Sequence, residues 1–191
     1  GFWHKKLDRI AKGAGKYPLI EVSEVSVTES EMAAINGLGG RQSKRIAFTL
    51  LCLAKFWNAV KPGNDSWVKT RDTEIMKMAN VSASSCKCDY MLHDMKEAGL
   101  LSFKPHITDL SIKVNFIEQN SPVVFNIIDF RNLGHQYHMF HGEPFIQCRE
   151  CGLTVRKMSN SQKYCAGCAV DINIKKSVDA AMQLNYAKST V

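Results

Sequence analysis

Four cysteines toward the C-terminal end carry the clearest chemistry in the sequence. Cys148 and Cys151, then Cys165 and Cys168, form two Cys-x2-Cys pairs with thirteen residues between them. Each pair sets two thiolates on a tight turn. Two such turns brought together supply the four sulfurs of a closed tetrahedral Zn²⁺ site. Gly152 follows the first pair and Gly167 sits inside the second, where a backbone wrapping closely around a metal needs freedom. The expectation is one structural Zn²⁺. The competing explanation is a pair of disulfides or buried reduced thiols. Adjacent turn cysteines bridge poorly, however, and no signal peptide opens the sequence. Four thiolates fill the coordination shell, so no position stays open for a substrate or an activated water.

The remaining reactive residues point away from catalysis. His135, His138 and His141 recur at every third position. On a helix His135 and His138 would share a face and could hold a second metal. No carboxylate is placed as a clear further ligand, so the expectation is packing with Tyr137, Phe140 and Phe145 against the cysteine module. Nucleases of the His-metal kind enclose a histidine between two Cys-x2-Cys pairs, and residues 152–164 contain none. Cys86 and Cys88 point to different faces of a helix, and Cys88 and Cys52 read as core. No phosphate-binding glycine loop, Ser/His/Asp arrangement or paired-carboxylate motif is present. These residues give no support to an enzymatic activity.

These residues must be positioned by a chain of 191 residues with an ordinary 45% apolar content, enough for one good core and a small satellite module. No apolar run reaches transmembrane length; Ile46 to Val60 is interrupted by Lys55 and Asn58. Seven cysteines, four of them in a metal pattern, predict a reducing cytoplasm. The net charge is +7, divided as +5 over residues 1–61, −1 over 62–118 and +3 over 119–191. Positive potential at the two ends suggests an anionic partner, usually nucleic acid.

The chain opens with a basic lead expected to be partly helical, with Lys5, Lys6, Arg9, Lys12 and Lys16 and an apolar side of Trp3, Leu7 and Ile10, ended by Gly13, Gly15 and Pro18. A strand is expected over Leu19–Val27, then a short helix from Ser30 toward Leu38. Arg41–Val60 is the strongest helix, apolar on most sides and so central and buried. Arg41, Lys44 and Arg45 crowd its first turns, the wrong end for the helix dipole. They read either as residues kept for a partner or as solvated ends of a long helix.

A short strand is expected at Trp67–Lys69, then a helix capped by Asp72 or Thr73 through Ala79, and a turn at Asn80–Ser82. A second helix follows from about Ser84 to Ala98, with Cys88, Met91, Leu92 and Met95 on its inner face and Gly99 closing it. Strands at Leu100–Lys104 and Leu110–Phe116 flank a loop. Residues 123–131 are β-rich, and a last helix is expected over Val170–Ala187. The anticipated organisation is a basic lead at 1–40, a helical unit at 41–118, a β-rich aromatic connector at 119–147 and a cysteine module at 148–191.

Ile-x-x-x-Ala-x-Val-Ser from Ile75, followed by Leu-x-x-Met-x-x-x-Gly-Leu-Leu from Leu92, resembles the helix-turn-helix of bacterial and phage winged-helix proteins. The likeness covers Lys44 to Ile117. Cys-x2-Cys-Gly, then Lys-Tyr-Cys-x2-Cys, resembles the small zinc ribbons of DNA- and RNA-associated proteins. Together they resemble proteins of phages and mobile elements in Gram-positive bacteria. That likeness implies an α+β fold, a winged helix-turn-helix followed by a β-rich connector and a zinc ribbon.

It also implies a nucleic-acid-associated binding protein, a transcription regulator or replication accessory factor. In that function Ser84, Ser85, Lys87 and Tyr90, with His93, would face the major groove. Lys104 and His106 would lie on the wing, and Arg149, Arg156, Lys157 and Lys163 on the ribbon, with Arg156 and Lys157 near its hairpin tip. The difficulty is Asp89, Asp94 and Glu97 on the same helix, against Lys87 and Lys96. A second possibility is an anti-defence protein, an anti-CRISPR inhibitor that binds a Cas nuclease or similar effector, since several such inhibitors resemble helix-turn-helix proteins. The partner is then DNA or a nucleic-acid-processing protein complex, with no membrane. A homodimer stays open, through the lead or the last helix.

Overall fold

The computed structural model describes residues 2–14, 21–104 and 111–189. In chain order these form α1 (Phe2–Ala14), β1 (Val25–Thr28), α2 (Glu29–Asn36), α3 (Arg41–Val60), β2 (Trp67–Val68), α4 (Asp72–Met78) and α5 (Ser85–Glu97). They continue as β3 (Leu101–Phe103), β4 (Ile112–Val114), β5 (Val123–Ile127), α6 (Leu133–Phe140), β6 (Phe145–Gln147), β7 (Thr154–Arg156) and α7 (Ala166–Ser189). The strands make three small antiparallel sheets, β1–β5, β2–β4–β3 and β6–β7. The architecture is therefore α+β.

Helix α3 is the centre because its sequence leaves it no polar face. Every residue from Ile46 to Ala54 is buried, as an all-round apolar helix requires. Its ends fall where expected, with Pro62 and Gly63 (φ +80°) breaking the chain beyond Lys61. Around it lie α2, α4, α5, α6 and the inner faces of the sheets. Helix α5 presents Cys88, Met91, Leu92 and Met95 inward, the stripe its sequence predicts. Gly99 (φ +75°) then ends it in a Schellman turn, with Gly99 N–H donating to Lys96 O and Leu100 N–H to Met95 O. The chain returns as β3, whose Leu101, Ser102 and Phe103 pair with Val114, Lys113 and Ile112 of β4. Val25, Val27, Met32 and Ile35 from the first forty residues share one apolar cluster with Ile127, Leu133, Tyr137 and α3.

Several expected boundaries move, each for a physical reason. Strand β1 spans only Val25–Thr28. Its partner β5 ends at Ile127 opposite Val25, so residues 21–24 have no ladder to join; Leu19 and Ile20 lie outside the described residues. Helix α2 opens at Glu29 rather than Ser30, because Glu31 reaches back to accept the Thr28 N–H at 2.9 Å. That carboxylate is fully buried. It also accepts Lys55 Nζ at 2.7 Å and Glu118 N–H at 3.0 Å, so both oxygens are engaged.

Helix α4 has Arg71 at its N-cap, and Asp72 is its first helical residue. The strands around the 105–110 loop are shorter than expected, and the loop itself, with His106, is outside the described residues. Residues 133–140, expected only as an aromatic and His-rich stretch, form α6. Gly134, inside this helix, lets it cross the end of α4 at contact distance from the Ala79 carbonyl.

Helix α1 presents Trp3, Leu7 and Ile10 to solvent, with Lys6 Nζ 5.2 Å from the Trp3 ring. Helix α7 begins at Ala166, four residues earlier than expected, and Val170, Ile174, Val178 and Met182 form an exposed stripe along it. No helix among the described residues is long and apolar enough to cross a membrane.

Candidate metal centre and the surfaces it positions

The four cysteines converge as their spacing predicts. Their Sγ atoms all lie within 4.8 Å of one another. Cys151 and Cys165 Sγ are 3.8 Å apart. Sulfurs at tetrahedral angles on bonds of about 2.3 Å would be separated by about 3.8 Å. Two local devices create this geometry. The first is the turn after β6, where Cys148 N–H donates to Leu153 O and Gly152 N–H to Cys148 O, both at 2.9 Å, with Gly152 at φ +72°. The second is the start of α7, where Cys165 Sγ accepts the Cys168 N–H at 3.4 Å. A helix start directs free N–H groups at a thiolate. Arg149 N–H donates to Lys163 O at 3.0 Å and joins the two turns.

The acid–base balance of the cluster suits a cation. Burial pushes the Cys148 thiol up, but backbone N–H groups of Cys151, Cys165 and Glu150, with the Cys151 thiol, bring it down to about 6. Cys168 is pushed the other way, chiefly by the thiols of Cys165 and Cys151. The four sulfurs thus share negative charge that protons or a metal ion must balance, and a metal displaces the protons. Cys148 and Cys165 are buried, and Cys151 and Cys168 half-buried. The arrangement is compatible with a metal site.

Support reaches the cysteine turns from the connector. Arg131 Nη2 donates to Cys151 O at 2.6 Å, and the Asp129 carboxylate holds that guanidinium at 2.8 Å. Asn132 Nδ2 donates to Thr154 O at 3.2 Å, and His135 Nδ1 lies 3.2 Å from the same oxygen. His135 and His138 pack on Phe145, the latter parallel at 5.2 Å. Two of the three histidines therefore pack with Phe145 beside the cysteine module, while His141 packs on Tyr137 and Phe140 instead. Arg131 and Asn132 were not anticipated. Only the Asp-x-Arg spacing of 129–131 hints at a rigid fork, and nothing in sequence links it to Cys151.

The other predicted residues divide into separate surfaces. Ser84, Ser85, Lys87 and Tyr90 are all exposed on the first turns of α5, with Ser84 as its N-cap. Asp89, Asp94 and Glu97 are exposed on the same helix, as is His93, 3.8 Å from Glu97. Lys104 is exposed, with Nζ 5.0 Å from the Trp67 ring. Arg149 and Lys163 are exposed beside the cysteines, and Lys157 is half-buried.

Arg156 is not near the hairpin tip. It pairs with Phe145 at the open end of the β6–β7 ribbon, and the tip is the Cys148–Gly152 turn. Lys157 follows Arg156 at that open end, its N–H donating to Pro144 O at 2.7 Å, so it too lies away from the tip.

No protein-family model matches the chain, and neither a curated protein nor a solved structure is similar to it.

Proposed function

We propose that this chain is a non-enzymatic, nucleic-acid-associated binding protein in which a winged helix-turn-helix (α3–α5 with the β2–β4–β3 sheet) carries a zinc ribbon. The observation that carries the reading is α5. It follows α4 across a tight turn, returns into a three-stranded antiparallel sheet, and leaves its outer face exposed. Helix-turn-helix proteins insert the N-terminal residues of the second helix into the major groove. Ser84, Ser85, Lys87 and Tyr90 occupy those turns, whereas Asp94 and Glu97 lie at the far end. Arg149, Lys163 and the basic α1 would supply phosphate contacts. Four soft thiolates in a closed tetrahedral set favour Zn²⁺, held as a structural ion. A cytoplasmic transcription regulator or replication accessory factor of a phage or mobile element is the role that accords with this reading.

A second reading is supported by the acidic residues. Asp89, Asp94 and Glu97 stand exposed on the helix that would enter DNA. An anti-CRISPR inhibitor could set that face against the basic channel of a Cas nuclease and exclude DNA from it.

Fluorescence anisotropy with labelled duplex DNA across a salt series separates the two. DNA binding predicts affinity falling steeply with salt, and Lys87→Ala lowering the slope by about one. Absence of duplex binding at low salt refutes the first reading. A stable complex with a purified Cas effector that blocks its DNA binding, lost on Asp94→Lys, would establish the second. Metal analysis of the purified chain should return one zinc per chain, and its absence refutes the ribbon assignment.

A further inference from the structure

A cavity of about 380 Å³ lies where the start of α3, helix α6 and the open end of the β6–β7 ribbon meet. Arg41 and Arg45 of α3, His135 and His138 of α6, Glu143 and Arg156 of β7 line it. Three guanidiniums therefore face one carboxylate. That carboxylate is already engaged, since Glu143 Oε1 accepts Arg41 Nη2 at 3.0 Å and sits 2.7 Å from His138 Nδ1. Burial works against the Glu143 charge, but His138 and Arg41 outweigh it and hold its pKa below the usual value.

Arg45 and Arg156 have no ion pair among the described residues. Arg45 spends Nη1 on the Asn80 carbonyl at 2.8 Å, while its Nε is buried with no acceptor among the described residues. Burial and the neighbouring Arg41 both act against its charge.

Such an arrangement is costly unless something anionic completes it. A buried guanidinium N–H without an acceptor is a desolvation loss, and Arg41 sets a second positive charge beside it. Arg41, Lys44 and Arg45 also stand at the positive end of the α3 dipole, which has no side-chain cap. The dipole and the guanidiniums repel one another there, and both attract an oxyanion. Planar guanidinium forks match the oxygens of phosphate in particular.

We propose that this cavity is a phosphate-binding site, holding the oxygens of a phosphate ester between Arg41, Arg45 and Arg156. His135 and His138, stacked on Phe145, form its wall. Either a free nucleotide or the backbone of a nucleic-acid strand could bring that phosphate. The site does not rest on α5 or on the identity of the metal, and it stands if α5 proves not to meet DNA.

The test is calorimetric titration of the full chain, as purified with its metal, with inorganic phosphate, a 5′-mononucleotide and a short DNA duplex in turn. At least one should bind, and the double change Arg41→Gln, Arg156→Gln should weaken it about tenfold or more, as expected for charge-assisted pairs. Both side chains are exposed, so the fold should persist. Lys61→Gln, exposed at the other end of α3, should leave binding unchanged. Phosphate or mononucleotide binding assigns the site to a free ester. Duplex binding alone, with the same loss, assigns it to a strand. The unsubstituted protein gives an independent measurement, because the Arg45 Nε–H resonance should move on saturation as it gains an acceptor. No binding of any probe, binding indifferent to the Arg changes, or a stationary Arg45 resonance at saturation would overturn the proposal.

Discussion

Gly134→Ala tests whether α6 crosses α4 as closely as the fold requires, and two physical effects of opposite sign meet there. Ala is the better helix former, by about 1 kcal/mol over Gly in a helix interior. Against this, a Cβ at position 134 would stand 1.9 Å from the Ala79 oxygen and 2.5 Å from its carbonyl carbon. Ordinary contact begins at about 3.5 Å, and both clashing atoms are backbone, which no rotamer change relieves. Helix α6 must therefore withdraw by more than an ångström. Withdrawal stretches the bond from His135 N–H to Asn80 Oδ1 and that from Asn80 Nδ2 to Asn132 Oδ1, both 3.1 Å. It also lifts Leu133 and Tyr137, both buried, off the core.

Overpacking costs about 1–3 kcal/mol, and two weakened hydrogen bonds add about 1 kcal/mol each. Less the propensity gain, the net loss is about 2–4 kcal/mol, or roughly 4–16 °C in Tm for a chain of this size. Thermal melts by circular dichroism at equal metal loading, with guanidinium midpoints alongside, measure it. Gly13→Ala in α1, where nothing lies within 4 Å of the added Cβ, should be neutral or stabilising. A Gly134→Ala protein as stable as the parent would refute the close crossing.

The Glu31–Lys55 pair offers a second test. Glu31→Ala strands the N–H groups of Thr28 and Glu118 and leaves Lys55 Nζ only the Ser26 carbonyl, its charge unpaired, and should cost about 3–5 kcal/mol in urea unfolding; a loss under 1 kcal/mol would show that the pair does not tie α2 to α3. Chelation, or Cys165→Ser, should collapse the amide dispersion of residues 145–169 while Leu50 and Leu92 keep theirs, and a module that keeps its spectrum without metal would refute its dependence on the ion.

The parts legible in sequence are those whose partners lie close along the chain. The limits of α3, the buried stripe of α5 with its Gly99 stop, and the meeting of two Cys-x2-Cys turns all follow from local pattern. The length of β1 did not, because alternation over Leu19–Val27 gives each residue a face but says nothing of where β5 ends. Helix α6 was not assigned from sequence, because Gly134 and the histidines give no apolar period, and only the Ala79 carbonyl supplies the reason for the glycine. The buried carboxylate of Glu31 has no local signal, since its partners Lys55 and Glu118 are far along the chain. Arg41 and Arg45 were marked as oddly placed, but Arg156, more than a hundred residues on, could not be joined to them without the ribbon's register.

That register bears on what a metal held by the four cysteines would do. A ribbon of three residue pairs would not hold its shape alone. It is fixed at one end by the cysteine turn and along its flank by Asn132 and His135 on Thr154 O. Arg156, at the other end, is therefore placed by the cysteine turn without touching it. The separation also matters electrostatically. Four thiolates around a divalent ion keep a net charge near −2, which beside Arg156 would cancel the attraction the cavity offers an anion. Three strand residues place the two about 10 Å apart, close to the distance over which physiological salt screens exposed charges. The cluster can thus supply rigidity to the basic cavity while contributing little of its own negative field. This division of labour explains why a closed thiolate site, with no position for a ligand, sits at the far end of the ribbon that carries Arg156.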